Sequence, residues 1–316
     1  MISEIEQIKS DPDLDYGYIK MTYELKTRGY YVNKKKVYLL MKTNGLLKTK
    51  NKASQKNYAK YRKVLPEGPL EILEMDIKYV WIERDKKHSA ILTILDTFTR
   101  HALHYYASLS IKKHDVKQCW EHVIVNHLQA YLRPGQPIHI EVRNDNDKRF
   151  VAKIVQEYFA ENFLNQVFTH PYTPQENGHV ESFHAILSEH LERFTFWSIE
   201  ELQQNLVLFY EKYNNKRVHS SIAYLTPSDF WDLWNKNLIE KQTDYKKRKT
   251  KFKTKMPYQL VKQHTGNKEP EDVPLHNKLH RNGAPLLNQL EMVGAESPHI
   301  IRSKKSPSDV HCEANI

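Results

Sequence analysis

The sequence predicts an α/β fold, a mixed sheet flanked by helices, with a small helical unit in front of it. Two patterns carry that expectation. Residues 73–108 hold three short stretches in which apolar and polar positions alternate, separated by charged or turn-forming residues, as an antiparallel meander requires. From about residue 112 onward, segments with a 3.6-residue apolar period alternate with short strand-like segments, the pattern of helices laid on the faces of a sheet. The chain divides into a helical unit over 1–47, a basic linker over 48–69, an α/β core over 70–235 and a basic, disordered tail over 236–316.

The elements follow in chain order. In YGYIKMTYELKTRGYYVNKKKVYLLMKTNGLL (16–47), Ile19, Tyr23 and Leu25 suggest a short helix, Gly29 a break, and Asn33 the cap of a second helix. The second helix carries Val37, Leu40 and Met41 on one side and Lys34, Lys35, Lys36 and Lys42 elsewhere. That is the plan of a helix-turn-helix with a basic reading helix, and equally of a small helical hairpin with a solvated lysine face. Residues 48–67 are polar and basic, fit either to lie along phosphates or to serve as a tether.

In the core, LEMDIKYVWI (73–82) sets Leu73, Met75, Ile77 and Tyr79 against Glu74, Asp76 and Lys78. SAILTILDTFTR and ALHYYAS complete the meander, with Asp96 and Arg100 placed to pair at its end. KKHDVKQCWEHVIVNHLQAYL is an amphipathic helix with Val116, Cys119, Trp120, Val123, Ile124, Leu128 and Tyr131 inward. PIHIEVRND is a strand with Ile138, Ile140 and Val142 on the core side, followed by a helix at VAKIVQEYF and a strand at NQVFT. Pro171 and Pro174 force an extended approach to a helix that Asn177 caps, with Val180, Phe183, Leu187 and Leu191 as its buried stripe. A last helix opens at Ser198 with a capping box to Glu201. Residues 246–255 hold seven Lys or Arg in ten positions, so the tail reads as disordered.

Composition narrows the function classes. Lys plus Arg number 48 against 38 Asp plus Glu, a net charge of +10, with a pI near 9.2. The excess favours a polyanionic partner. Two cysteines, Cys119 and Cys312, stand outside any C-x-x-C pair, which excludes a disulfide framework and a cysteine-rich zinc site. No apolar run reaches bilayer length and the N-terminus lacks a secretory h-region, so a cytoplasmic protein without a membrane partner is expected.

Three acids stand where an open α/β sheet gathers its ligands: Asp76 within the first strand, Asp145 at the end of a strand, and Glu181 at the start of a helix. A glutamate in a first helical turn is ordinarily explained by the helix dipole, and a strand aspartate by solvent. Three carboxylates converging at one point would instead repel strongly unless cations intervene. Oxygen ligands suit Mg²⁺ or Mn²⁺, and two such ions about 3.5–4 Å apart can hold the attacking and leaving oxygens of a phosphoryl displacement.

Thirty-five residues separate Asp145 from Glu181, with Asp76 upstream, and this resembles the D, D-35-E pattern of the retroviral-integrase superfamily of transposases. LEMDIKYV resembles the first-aspartate strand, ILDTFTRHAL the hairpin after it, VRNDNDKRF the second-aspartate motif and HPYTPQENGHVESFH the Pro-x-x-x-Asn-Gly-x-x-Glu segment. YNNKRVHSSIAYLTPSDFW resembles the ending of insertion-sequence transposases, and the N-terminal unit is similar to the helix-turn-helix of OrfB-type proteins of the IS-three family. The resemblance spans roughly residues 15–235. It implies an RNase H-like integrase core in which Asp76, Asp145 and Glu181 are catalytic and bind Mg²⁺ or Mn²⁺, as two ions. It also implies 3′-end cleavage and strand transfer on double-stranded DNA, at terminal inverted repeats and at a target. An upstream OrfA protein or fusion, an oligomer on DNA and a bacterial, nucleoid-associated location follow from the same source. Candidate DNA contacts are Lys34, Lys35, Lys36, Lys42, Asn177, His184 and Arg217.

One departure stands out. Relatives carry Asp-Asn-Gly at the second motif, whereas this chain has Asp145-Asn146-Asp147. Where that position takes a positive φ, an Asp is strained, and its charge adds to the acidic cluster. A catalytically impaired DNA-binding relative, acting as a regulator or a decayed element, is therefore the alternative. An RNase H-like nuclease without joining activity would leave the N-terminal unit and the segment after residue 212 unexplained.

Overall fold

The computed structural model describes residues 1–48, 65–129, 140–169, 177–246 and 249–265. Five strands build the central sheet: β1 (Ile72–Ile82), β2 (Lys87–Asp96), β3 (Ala102–Ser108), β4 (Ile140–Asn144) and β5 (Leu164–Phe168). Their order is β3-β2-β1-β4-β5. The meander β1–β2–β3 is antiparallel, while β4 runs parallel to β1 and β5 parallel to β4. This is the RNase H-like arrangement that the motifs imply.

Alternation along the strands sorts their side chains onto two faces. Leu73 and Met75 join Leu92, Ile94 and Leu103 in a core closed by α4 (Lys113–Val123) and α5 (Lys153–Glu161). The apolar stripe of α4 is buried as its period requires, and the helix continues as a π-helical turn over Ile124–Leu128. The opposite face buries Ile82, Ile91 and Leu95 under α6 (Gly178–Leu191) and α7 (Ile199–Asn215). Val180, Phe183, Leu187 and Leu191 form the buried side of α6, as expected. Ser198 caps α7 by accepting from the Glu201 N–H, but the Glu201 carboxylate returns to the Trp197 N–H and not to that of Ser198.

The N-terminal unit holds α1 (Ile2–Lys9), α2 (Tyr18–Thr27) and α3 (Lys34–Thr43) around Ile5, Met21, Leu25, Val37 and Met41. The turn between α2 and α3 passes through Gly29 at φ +92°, a conformation that costs glycine nothing, and Asn33 caps α3 by accepting from the Lys36 N–H at 2.8 Å. The first helix, α1, has no counterpart in the sequence expectation. The unit is joined to the core. Asp13 accepts from His190 Nδ1 at 2.9 Å and Lys212 Nζ at 3.0 Å and also pairs with Arg193. The Tyr16 hydroxyl accepts from the Val218 N–H at 2.9 Å, and Tyr23 stacks on Tyr224 with ring centroids 4.1 Å apart.

The structure also corrects two expectations about the tail and the hairpin end. The disordered tail does not begin at residue 236. After α8 (Pro227–Asn235), strands β6 (Ile239–Asp244) and β7 (Lys249–Thr254) form a hairpin, and α9 (Val261–His264) follows. The charge run conceals a two-residue period: Lys249, Lys251 and Lys253 face outward, while Phe252 packs 5.2 Å from Phe98 and 5.0 Å from Phe230. Residues from 266 onward lie outside the described residues, as do most of the basic linker, Tyr131, Ile138 and the segment with Pro171 and Pro174. Nor do Asp96 and Arg100 form the scaffold ion pair. The buried Asp96 carboxylate is taken up by the N–H groups of Leu70, Phe98 and Thr99 and the Thr99 hydroxyl. Among the described residues, no helix is long and apolar enough to cross a membrane.

Candidate active site

Strand register brings the first two acids together. Glu74 on β1 stands opposite Arg143 on parallel β4, so two residues further along, Asp145 leaves the end of β4 beside Asp76. The turn after β4 is braced by Asn144, which donates to the Asp145 carbonyl at 2.6 Å and accepts from Gln166 Nε2 at 3.0 Å. Asp145 Oδ1 accepts the Asp147 N–H at 3.1 Å.

The third acid comes from α6, and the way this helix begins differs from the expectation. Asn177 occupies the N-cap position but makes no side-chain capping bond; it is buried and reaches toward the Met75 carbonyl at 3.4 Å. Gly178 has no positive φ, and a Cβ there would meet no described atom within 4 Å, so neither strain nor space demands a glycine. The cap comes from Glu74 on β1. One of its oxygens accepts the N–H groups of His179 at 2.9 Å and Val180 at 2.8 Å, and the other lies 2.7 Å from His179 Nδ1. Glu181 then lies exposed in the first turn, and His184 sets its Nδ1 3.3 Å from Asp76 Oδ2.

The electrostatics record how closely these acids crowd. Partial burial raises the Asp145 carboxyl above its ordinary range, and the charges of Asp76 and Asp147 add to the rise. Although Glu181 is exposed, partial desolvation and the nearby Asp76 and Glu74 push its carboxyl up to about 7. Such mutual repulsion is what a bound cation relieves. No three His, Cys, Asp or Glu side chains among the described residues are closed into a ready cation cage. The donor set still fits a hard divalent ion: three carboxylates, two of them raised by their neighbours, and beside them a buried His184 Nε2 without a hydrogen-bond partner. An ion that keeps several of its waters needs no closed cage.

Asp147 does not behave as its departure from the motif suggests. It is not among the residues with positive φ, and its carboxylate pairs with the Arg149 guanidinium, which holds it below the usual carboxylate range. Arg149 also donates to the Tyr79 hydroxyl at 2.6 Å. The extra negative charge is therefore paired with Arg149, while still adding to the rise at Asp145.

The candidate DNA contacts separate into two groups. Lys34, Lys35, Lys36 and Lys42 are all exposed on α3, together with Tyr38 and Leu39, while Val37 and Met41 face the unit's core. Asn177 is buried, and His184 is buried against Asp76. Arg217 donates to the Asp13 carbonyl, a bond within the seam between the N-terminal unit and the core. Glu74 and His179 escaped the sequence reading. A signal existed: Glu74 shares a strand face with Asp76, and the apolar stripe of a helix must cover that face.

Comparison with known proteins extends the picture. Two family models described as integrase core domain match residues 66–174 and 163–227, and one described as HTH-like domain matches residues 2–53. The chain is 23% identical over 217 residues to an uncharacterized 31.7 kDa protein of insertion element IS407 from Burkholderia multivorans, covering 68% of this chain and 75% of that protein. It is 23% identical over 227 residues to a putative transposase, InsK, for insertion sequence element IS150 of Escherichia coli K12, covering 68% and 77%. Among solved structures, the catalytic core domain of BIV integrase aligns with a TM-score of 0.39 at 19% identity, over 53% of this chain and 97% of that one.

Proposed function

The chain belongs to the insertion-sequence transposases of the IS-three family, OrfB type, and on that premise we propose that it cuts DNA at the ends of a mobile element and joins the freed 3′ ends to a target. The observation that carries this reading is the approach of Asp145 and Glu181 to Asp76, whose charge adds to the rise of both their carboxyls where strand register and the start of α6 meet.

These three residues would hold divalent cations, Mg²⁺ or Mn²⁺ and two in number. When bound, the cations offset the carboxylate repulsion, sharpen a water as nucleophile and take up charge on the phosphoryl oxygens. In the first step a water oxygen attacks phosphorus and the bond to the 3′ oxygen breaks, leaving a 3′-hydroxyl and a 5′-phosphate. In the second, that 3′ oxygen attacks a target phosphorus and displaces the target's own 3′ oxygen. His184 orients Asp76 through its Nδ1. The exposed lysines of α3 meet backbone phosphates, and the helix enters the major groove of a terminal inverted repeat. Two ends must be held at once, so the protein works on DNA as an oligomer, with an upstream OrfA protein or fusion as partner. The pairing of Asp147 with Arg149 supports this reading over that of a catalytically impaired relative.

Labelled duplexes from the DNA flanking the gene test this directly. Mn²⁺-dependent nicking at the element's 3′ ends is expected from the wild type and not from Asp76→Asn, Asp145→Asn or Glu181→Gln. Nicking that survives all three substitutions would refute the assignment.

A further inference from the structure

We propose that Glu74 is a positioning residue for the carboxylate cluster: it holds the helix that carries Glu181 at a set height over the strand that carries Asp76. The inference rests on the reading above, in which those two acids act together. Glu74 precedes Asp76 by two residues on β1, so both side chains leave the same face, about 7 Å apart along the strand. Glu74 is 0% exposed. Its three bonds, to the His179 N–H, the Val180 N–H and His179 Nδ1, all reach a segment more than a hundred residues away in sequence.

A helix start is ordinarily satisfied by its own N-cap side chain. Here Asn177 stands in that place without making the bond. A buried carboxylate is an expensive substitute, because it must be desolvated and then fully hydrogen-bonded. What a local cap cannot do is fix the distance between two elements. Glu181 follows Val180 directly, so one pinned amide lies a single residue from the acid it positions. Glu74 is thus a crosspiece that sets Asp76 and Glu181 in relation before any ligand arrives, and groups of this kind govern how well a metal or substrate finds its donors. It also occupies the His179 and Val180 N–H groups in the first turn of α6, which are therefore not open to a phosphate.

The full-length protein tests this by calorimetric titration with Mn²⁺ alone, alongside thermal melts and amide exchange. The variants are Glu74→Ala, Glu74→Gln and, as a stability control in the core beneath α7, Leu206→Ala. Glu74→Ala is expected to weaken Mn²⁺ binding by about tenfold or more. Leu206→Ala, with its own loss of melting temperature, should keep wild-type affinity. In Glu74→Gln, which retains one acceptor oxygen, faster exchange at His179 and Val180 and weaker Mn²⁺ binding should appear together. Affinity lost while those amides stay protected overturns the proposal, and so does a Glu74→Ala protein that binds as Leu206→Ala does. A wild type that binds no Mn²⁺ overturns the three-carboxylate reading and this inference with it. Wild-type binding that Glu74→Ala leaves unchanged overturns this inference alone.

Discussion

Glu74 and Asp13 are both acids set between two parts of the molecule, and their surroundings treat them in opposite ways. Glu74 meets two backbone N–H groups and an imidazole, with Asp76 close by, and burial pushes its carboxyl up to about 8. At Asp13 burial acts in the same upward direction, yet hydrogen bonds from His190, Lys212 and Arg193 overcome it and hold the carboxyl far below the usual range. The seam neutralises its own charge. Around α6 the fold instead brings Asp145 and Glu181 close to Asp76, and burial and neighbouring carboxylates leave both of them raised. A self-neutralised cluster holds parts together, whereas an unbalanced one waits for a positive ligand.

Each side of that contrast can be broken separately. The largest effect is expected at the unbalanced cluster: Asp145→Asn should lower the nicking rate by a factor on the order of 10³ while leaving the melting temperature at or above that of the wild type. Loss of fold in that variant would mean the cluster is structural. At the seam the signs reverse. Asp13→Asn removes the charge that Arg193 and Lys212 share, with Lys212 keeping Asp11, and should cost about 1–2 kcal/mol of stability in a denaturant titration. Once folded, it should still nick.

Acid should act on the seam in the same direction as that substitution. The Asp13 carboxyl is depressed in the folded state, so its contribution is complete above its ordinary pKa of 3.8 and disappears as pH falls toward the folded value. Limited proteolysis should therefore release the N-terminal unit as pH drops below about 4, earlier than the sheet core is attacked. Release that instead begins near neutral pH would place the lock on another group. Mn²⁺ should raise the melting temperature of the wild type and of Asp13→Asn alike, by about 2–4 °C for a stabilisation near 1 kcal/mol, but not that of Asp145→Asn. Asp147→Gly carries the smallest expected effect. Removing the partner of Arg149 should slow nicking a few-fold, at a cost of about 1 kcal/mol, with no gain from matching the motif of relatives. Faster nicking by that variant would show that its charge burdens the site after all.

Much of this architecture was legible in the residues. The alternation in 73–108, the Asn33 cap and the buried stripe of α6 are local or periodic signals, and each stands where the sequence places it. What escaped depends on partners distant in the chain. Glu74 reads as a solvent-facing strand residue until α6 is known to cover that face. Arg217 reads as a phosphate contact until Asp13 comes within reach of it. Phe252 was lost among lysines because a strand with one apolar residue in its period gives almost no alternation signal, although Phe98, Phe230 and Trp234 surround it. Asp147 was read for the same reason without Arg149, the cation it pairs with.

The seam at Asp13 and Tyr16 also gives the molecule a built-in ruler. Because α1–α3 are bonded to α6 and α7, the interval between the exposed lysines of α3 and the acids at the start of α6 is set by side chains such as His190, Lys212 and Tyr16. The length of residues 48–69 does not set it. Lengthening that stretch by a few glycines and serines should leave unchanged the offset between the sequence recognised and the bond cut, and severing the seam should blur it.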